Sequence, residues 1–180
     1  MHAHGKQYVC DYHINNDEWN EHQDAGRSLE EATEELVAKY PEHEKEIRAY
    51  YDRWEEMLGG AINETVEILR SLKETNKYKL YALTNWSAET FPVALQRYDF
   101  LQWFDGIVMS GEEKTRKPFP EIYQTLLNRF NVNPSEVIFI DDSLRNVEGA
   151  KAVGIDGIHF QSPQQLLHEL KHQGIIQSKG

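Results

Sequence analysis

The sequence predicts an α/β fold: a Rossmann-like parallel sheet with helices on both faces, joined to a small α-helical subdomain. Three observations predict it. From about residue 76 onward, short apolar runs alternate with segments of helical period, the pattern of strand, crossover helix and parallel strand. The run Val137-Ile138-Phe139-Ile140 is apolar without alternation, as in strands buried on both faces. Between residues 17 and 75 only helical periods occur, so the helical part precedes the sheet rather than alternating with it.

Residues 1–16 show no sustained period, and Tyr8-Val9-Cys10 is too short to define a strand. Ser28-Leu29-Glu30-Glu31 fits a capping box, which predicts a helix to about Tyr40 with Leu36 and Val37 on its inner face. Pro41 opens a second, acidic helix carrying Ile47, Tyr50, Tyr51, Trp54, Met57 and Leu58 at spacings of three and four, closed by Gly59-Gly60. Helical spacing alone predicts that this aromatic stripe is core. A third helix spans about 63–74, with Val66, Ile68, Leu69 and Leu72 apolar. Strands are then predicted over 78–83, 106–110, 137–140 and 157–160, and helices over 88–98, 120–130, 144–153 and 164–172. A charged loop connects the second strand to its helix. The resulting division is an irregular stretch over 1–16, a helical subdomain over 17–75 and an α/β core over 76–180.

The chain of 180 residues can bury one sizeable core. Its net charge of −11 and pI near 5.2 exclude an extended nucleic-acid footprint. A small anionic substrate stays compatible with that charge if a cation neutralises the site. Cys10 is the single cysteine, so no intramolecular disulfide forms and a reducing, cytoplasmic setting is expected. No apolar run reaches the length of a membrane span, and the eight histidines form no metal-binding helical pair.

In open parallel sheets, ligands bind outside the carboxyl ends of the strands. The first strand ends in Thr84-Asn85, the second leads into Lys114-Thr115-Arg116-Lys117-Pro118, and the third ends in Asp141-Asp142. Two adjacent carboxylates repel and lose hydration, so a divalent cation is the natural compensation; the plain reading of the same residues is a helix cap. Thr84 and Asn85 read equally as a cap, and Lys117 as one more solvated base. Together the three clusters share one rim. A hydroxyl and an amide for a phosphoryl oxygen, a lysine for its charge and two acids for a cation are what phosphoryl transfer requires. Trp86 reads in two ways, as a pocket wall or as packing under the next helix.

The series Leu83-Thr84-Asn85, Lys117-Pro118-Phe119-Pro120-Glu121-Ile122-Tyr123 and Phe139-Ile140-Asp141-Asp142 with Asn146 resembles motifs two, three and four of the haloacid dehalogenase superfamily of hydrolases. It is most similar to the branch of sugar-phosphate phosphatases and the phosphatase domain of soluble epoxide hydrolases. The resemblance implies a magnesium-dependent phosphatase acting on a small phosphorylated metabolite through an aspartyl-phosphate, with the helical stretch as a cap. By resemblance Thr84 binds the phosphoryl group, Asn85 and Trp86 lie beside the substrate, and Lys117 stabilises the developing charge. Asp142 is then a magnesium ligand, Asp141 lies in the first or second coordination layer, and Asn146 supports the loop. Trp19, Asp24 and Arg27 are the cap residues that would approach the site.

The family's nucleophilic aspartate ends a first strand that precedes the cap, and the sequence shows no such segment. Asp11 is the nearest candidate, without the buried strand or the glycine-rich turn. The expectation is therefore a core with its first strand missing, weak turnover, and unpaired sheet edges that invite self-association. Two alternatives follow from the same residues: an inactive phosphate- or metal-binding protein, and a metal-independent 2-haloacid dehalogenase.

Overall fold

The computed structural model describes residues 16–177. The expectations on Cys10 and Asp11, and most of the irregular stretch, lie outside the described residues.

The helical part opens with α1 (Asn16–Asp24) and α2 (Leu29–Lys39). The capping box forms as expected: the Glu31 amide donates to Ser28 Oγ at 3.1 Å and the Ser28 amide to Glu31 Oε2 at 3.2 Å. Ala32 and Thr33 are buried on α2, whereas Leu36 and Val37 are only partly covered. The second expected helix is broken into a 3-10 turn (Pro41–His43), α3 (Glu44–Asp52) and a second 3-10 turn (Trp54–Met57). At Arg53 the backbone leaves helical geometry, at φ −115° and ψ 19°, which turns Trp54 out of line. Of the aromatic stripe only Ile47 is buried, Met57 is 51% exposed, and Tyr50, Tyr51 and Trp54 are half-buried. The expectation that the stripe is core is thus corrected: its rings wall a cavity. The last helix of this part, α4 (Asn63–Thr75), buries Ile68 and Leu72 and ends on Asn76 in the left-handed region.

The α/β part follows as β1 (Tyr81–Thr84), α5 (Phe91–Arg97), β2 (Gly106–Met109), α6 (Ser110–Glu113), α7 (Pro120–Phe130), β3 (Ile138–Asp141), α8 (Leu144–Ala152), β4 (Asp156–His159) and α9 (Pro163–His172). The fold class is as expected: parallel strands between helical layers. Pro120 sits in the first turn of α7, where its missing N–H costs nothing, and Asn131 closes that helix at φ 51°. β1 starts later than expected because Leu80 is taken out of the ladder by Asp105, whose carboxylate accepts the Leu80 amide at 3.0 Å. A turn of helix, α6, precedes the expected charged loop, which runs over 114–119.

The sheet is split. β1 pairs in parallel with β2, Tyr81 opposite Gly106, and β3 pairs in parallel with β4, Ile138 opposite Asp156; among the described residues no ladder joins the two halves. Side chains tie them instead. One face packs Tyr81, Leu83, Val108 and Phe139 against Ile122, Tyr123 and Leu126 of α7 and Ala150 of α8. The other packs Ile158 against α4 and α9 through Ile68, Leu72, Leu166 and Leu170. The expectation that β3 is buried on both faces is corrected. Phe139 packs edge-on against Tyr123 at 5.5 Å, but Ile138 and Ile140 on the opposite face are 37% and 36% exposed. An apolar strand with one uncovered face and one unpaired edge has that pattern.

Candidate active site

The ends of β1 and β3 meet through one lysine. The Lys117 amide donates to Asn85 Oδ1 at 2.8 Å, and Asn85 Nδ2 donates to the Lys117 carbonyl at 3.0 Å. This reciprocal clamp fixes the lysine's backbone just beyond β1. Its Nζ then reaches Asp141 Oδ2 at 2.6 Å, at the end of β3, and both side chains are about nine-tenths buried. Adjacent strands lie about 4.8 Å apart, and a lysine side chain is long enough to cross the space left between the two ladders. Lys117 is therefore not a solvated surface base.

Asp141 is held on every side. Its Oδ1 accepts the Ser143 amide at 2.9 Å and Asn146 Nδ2 at 2.9 Å, while Oδ2 takes the lysine. Asn146 is held in turn by Tyr123, whose hydroxyl donates to the Asn146 carbonyl at 2.7 Å. Burial, with the Asp141 charge as a second cause, pushes the Tyr123 phenol well above its usual range, so it remains a donor. Asp142 is exposed, and His159 Nε2 donates to its backbone carbonyl at 2.9 Å. Among the described residues no group of three or more His, Cys, Asp and Glu converges. The oxygens near the rim are those of Asp141 and Asp142 and the Asn146 Oδ1, which is buried without a protein partner.

The loop after β1 is shaped by close packing. The Trp86 amide donates to Ser110 Oγ at 2.9 Å, and the Gly111 amide donates to the Trp86 carbonyl at 3.1 Å. A Cβ on Gly111 would stand 2.6 Å from the Ala88 nitrogen, so only glycine lets α6 approach this loop. Both readings of Trp86 hold: its ring packs edge-on with Phe91 at 5.5 Å and Trp54 at 5.9 Å, and it also lines the cavity between the helical part and the core. That cavity has a volume of about 260 Å³ and is walled by Tyr50, Tyr51, Trp54, Trp86, Asn20, Gln23, Asp24 and Asn85 among others. Since Asn85 also clamps Lys117, the cavity opens beside the lysine.

Glu21 was not legible from the sequence as a site residue. From α1 it receives Arg116 Nη2 at 2.5 Å and Arg145 Nη2 at 2.8 Å, and so fastens the helical part to both sides of the rim. Of the cap residues expected near the site, Asp24 lines the cavity, while Arg27 lies over Trp19 at 4.2 Å and pairs with Glu35.

Burial holds the Asp24 carboxyl up at about 6; Arg116 and Lys117 lower it and Glu21 raises it further. The folded protein thus binds this proton more tightly than the unfolded chain. The benefit is present below about pH 4 and lost as the pH rises through about 6. Ionised Asp24 costs about 1–2 kcal/mol at neutral pH once its partial exposure is allowed for. Asp24→Asn is therefore expected to raise stability by about 1 kcal/mol at pH 7.5 and by almost nothing near pH 4, read from urea titrations at both pH values.

The family model described as haloacid dehalogenase-like hydrolase matches residues 6–160. A phosphorylated carbohydrates phosphatase of Thermotoga maritima is 33% identical over 117 residues, 65% of this chain and 51% of that protein. A sesquiterpene phosphatase of Aspergillus oryzae is 36% identical over 58% of this chain and 53% of its own length. An (S)-2-haloacid dehalogenase of Burkholderia cepacia is 29% identical over 72% of this chain and 52% of its own. The chain spans about half the length of these curated relatives. A Bacteroides thetaiotaomicron HAD family enzyme, solved with magnesium and inorganic phosphate, shares the fold at a TM-score of 0.65 and 22% identity, over 82% of this chain and 80% of that one.

Proposed function

This chain belongs to the haloacid dehalogenase-like hydrolases, and from that premise we propose that its rim binds the phosphate of a small phosphate monoester together with magnesium, as a phosphatase site. The observation that carries the reading is Lys117: a buried cation, fixed by Asn85 and aimed at Asp141 between two strand ends, beside a cavity sized for a small alcohol. In this reading Thr84 and the Lys117 ammonium hold the phosphoryl oxygens, Asn85 positions the lysine and stands in the wall of the adjoining cavity, and residues 17–75 form the cap. A fixed cation with no reorganisation to undergo is the most effective stabiliser of developing phosphoryl charge.

The donor set suits magnesium. Its preferred ligands are hard oxygens, and it keeps several waters while using one or two carboxylates and substrate phosphate. Asp142 and Asp141 would hold it, with the unsatisfied Asn146 Oδ1 as an acceptor for a water of its hydration. When bound, the ion would neutralise charge on the phosphoryl oxygens. The aspartyl-phosphate route also needs a free carboxylate beside Lys117, and among the described residues Asp141 has both oxygens engaged. Asp11 is the candidate outside them.

The dehalogenase relative favours a second reading, in which the site receives a 2-haloacid. That substrate carries a carboxylate, which the acid Asp24 in the cavity wall opposes. The test is calorimetric titration of inorganic phosphate with and without magnesium, alongside hydrolysis of p-nitrophenyl phosphate and release of halide from 2-chloropropionate. Expected are magnesium-dependent phosphate binding, no halide release, and hydrolysis near background that Asp11→Asn leaves unchanged. Halide release, or phosphate binding indifferent to both magnesium and Lys117, would sink the reading.

The cytoplasmic setting belongs to the same proposal and rests on composition and the lone cysteine. No described helix is long and apolar enough to cross a membrane.

A further inference from the structure

The cavity between α1, α3 and the loop after β1 differs in charge from the rim it adjoins. Among the described residues its wall carries a single carboxyl, Asp24, and no lysine or arginine. The cations nearby are already occupied: Arg116 pairs with Glu21, and Arg27 pairs with Glu35 while covering Trp19. The remaining lining is neutral and of two kinds. The rings of Trp54 and Trp86 present aromatic surface. Tyr50 and Tyr51 present hydroxyls that accept from Asn20 at 3.2 Å and Gln23 at 2.6 Å, which leaves each phenolic proton free to donate.

We propose that this cavity receives the alcohol portion of the ester, that it takes compact alcohols that are neutral or cationic and bear oxygen acceptors, and that Asp24 turns away alcohols carrying a second anion. The proposal rests on the phosphate reading given above. Its charge argument is simple. The phosphoryl group has Lys117 to meet it, but a carboxylate or second phosphate on the alcohol would be seated against Asp24, with the nearby Arg116 and Arg27 already paired to Glu21 and Glu35. Asp24 titrates at about 6 and so is mostly ionised at pH 7.5. The size argument is separate: 260 Å³ lies below the roughly 300–1,000 Å³ of pockets that enclose drug-sized ligands, so the alcohol is small.

The test compares four probes on the intact chain with magnesium at pH 7.5: inorganic phosphate, glycerol 1-phosphate, phosphoethanolamine and 2-phosphoglycolate. Binding is read by calorimetry and by quenching of the fluorescence of Trp54 and Trp86. Phosphoglycolate is expected to bind at least about fivefold more weakly than glycerol 1-phosphate, with phosphoethanolamine the tightest of the three esters. In Asp24→Asn, a variant expected to fold at least as well as the parent, the spread among the esters should shrink to about twofold. Phosphoglycolate binding as tightly as the other esters, or a spread that survives Asp24→Asn, overturns this inference and leaves the phosphate site standing. Failure of inorganic phosphate itself to bind overturns the phosphate reading, and this inference with it.

Discussion

Lys117→Met is expected to abolish magnesium-dependent phosphate binding and to cost about 3–5 kcal/mol of folding stability, because it leaves the Asp141 carboxylate buried without its cation. The two effects have different origins and can be separated. The lysine and aspartate side chains are 10% and 7% exposed, so each is the main compensation for the other's lost hydration. Lys117→Met/Asp141→Asn removes the unpaired charge while preserving shape, and should recover most of the stability without recovering phosphate binding. Urea titration of the parent, both single variants and the double variant measures the coupling, and calorimetry on the same four proteins measures the site. Recovery of phosphate binding in the double variant would show that the lysine acts only by balancing Asp141.

Tyr123→Ala is expected to cost about 3–5 kcal/mol, as large-to-small changes in a packed core do, and Tyr123→Phe about 1–2 kcal/mol. Tyr123 is fully buried between α7, β3 and α8, so truncation opens a cavity at the centre of the larger core. The phenylalanine variant keeps the packing against Phe139 and removes only the donor to the Asn146 carbonyl. Because Asn146 holds Asp141 Oδ1, the loss should reach the rim: magnesium-dependent phosphate affinity should weaken several-fold in Tyr123→Phe although the residue touches no ligand. Unchanged affinity alongside the stability loss would confine Tyr123 to the core.

The parts of the fold visible in the sequence are those set by local chemistry. Pro120 and Asn131 bracket α7, the Ser28 and Glu31 pair opens α2, and the apolar run to Asp141 marks β3. The meeting of Lys117 with Asn85 and Asp141 was visible for a related reason. The loop that carries Lys117 and the strand ends that carry Thr84 and Asp141 must share one rim in a parallel sheet, whatever their separation along the chain. What stayed hidden depends on partners far along the chain. Glu21 meets Arg116 and Arg145 at separations of 95 and 124 residues, and nothing around Glu21 distinguishes it from the other acids of the helical part. Asn85 was expected beside the substrate and lines the cavity, but its carboxamide also clamps the Lys117 backbone, a use that only the approach of that loop reveals. The aromatic stripe misled because helical spacing reports that rings share a face but not whether protein or a cavity lies opposite.

The split sheet also sets how the strands exchange hydrogen with solvent. Along a parallel strand, successive amides point to opposite neighbours. Each of the four described strands has one ladder partner among the described residues, so about half of its amides are locked by that ladder and half face away from every described strand. Protection along Tyr81–Thr84 and Ile138–Asp141 therefore runs with a period of two, slow and fast amides alternating at the middle of the protein where a continuous sheet would protect every one. The fast set marks the inner margins of the two ladders, and Lys117 is the strut that holds those margins at a fixed distance.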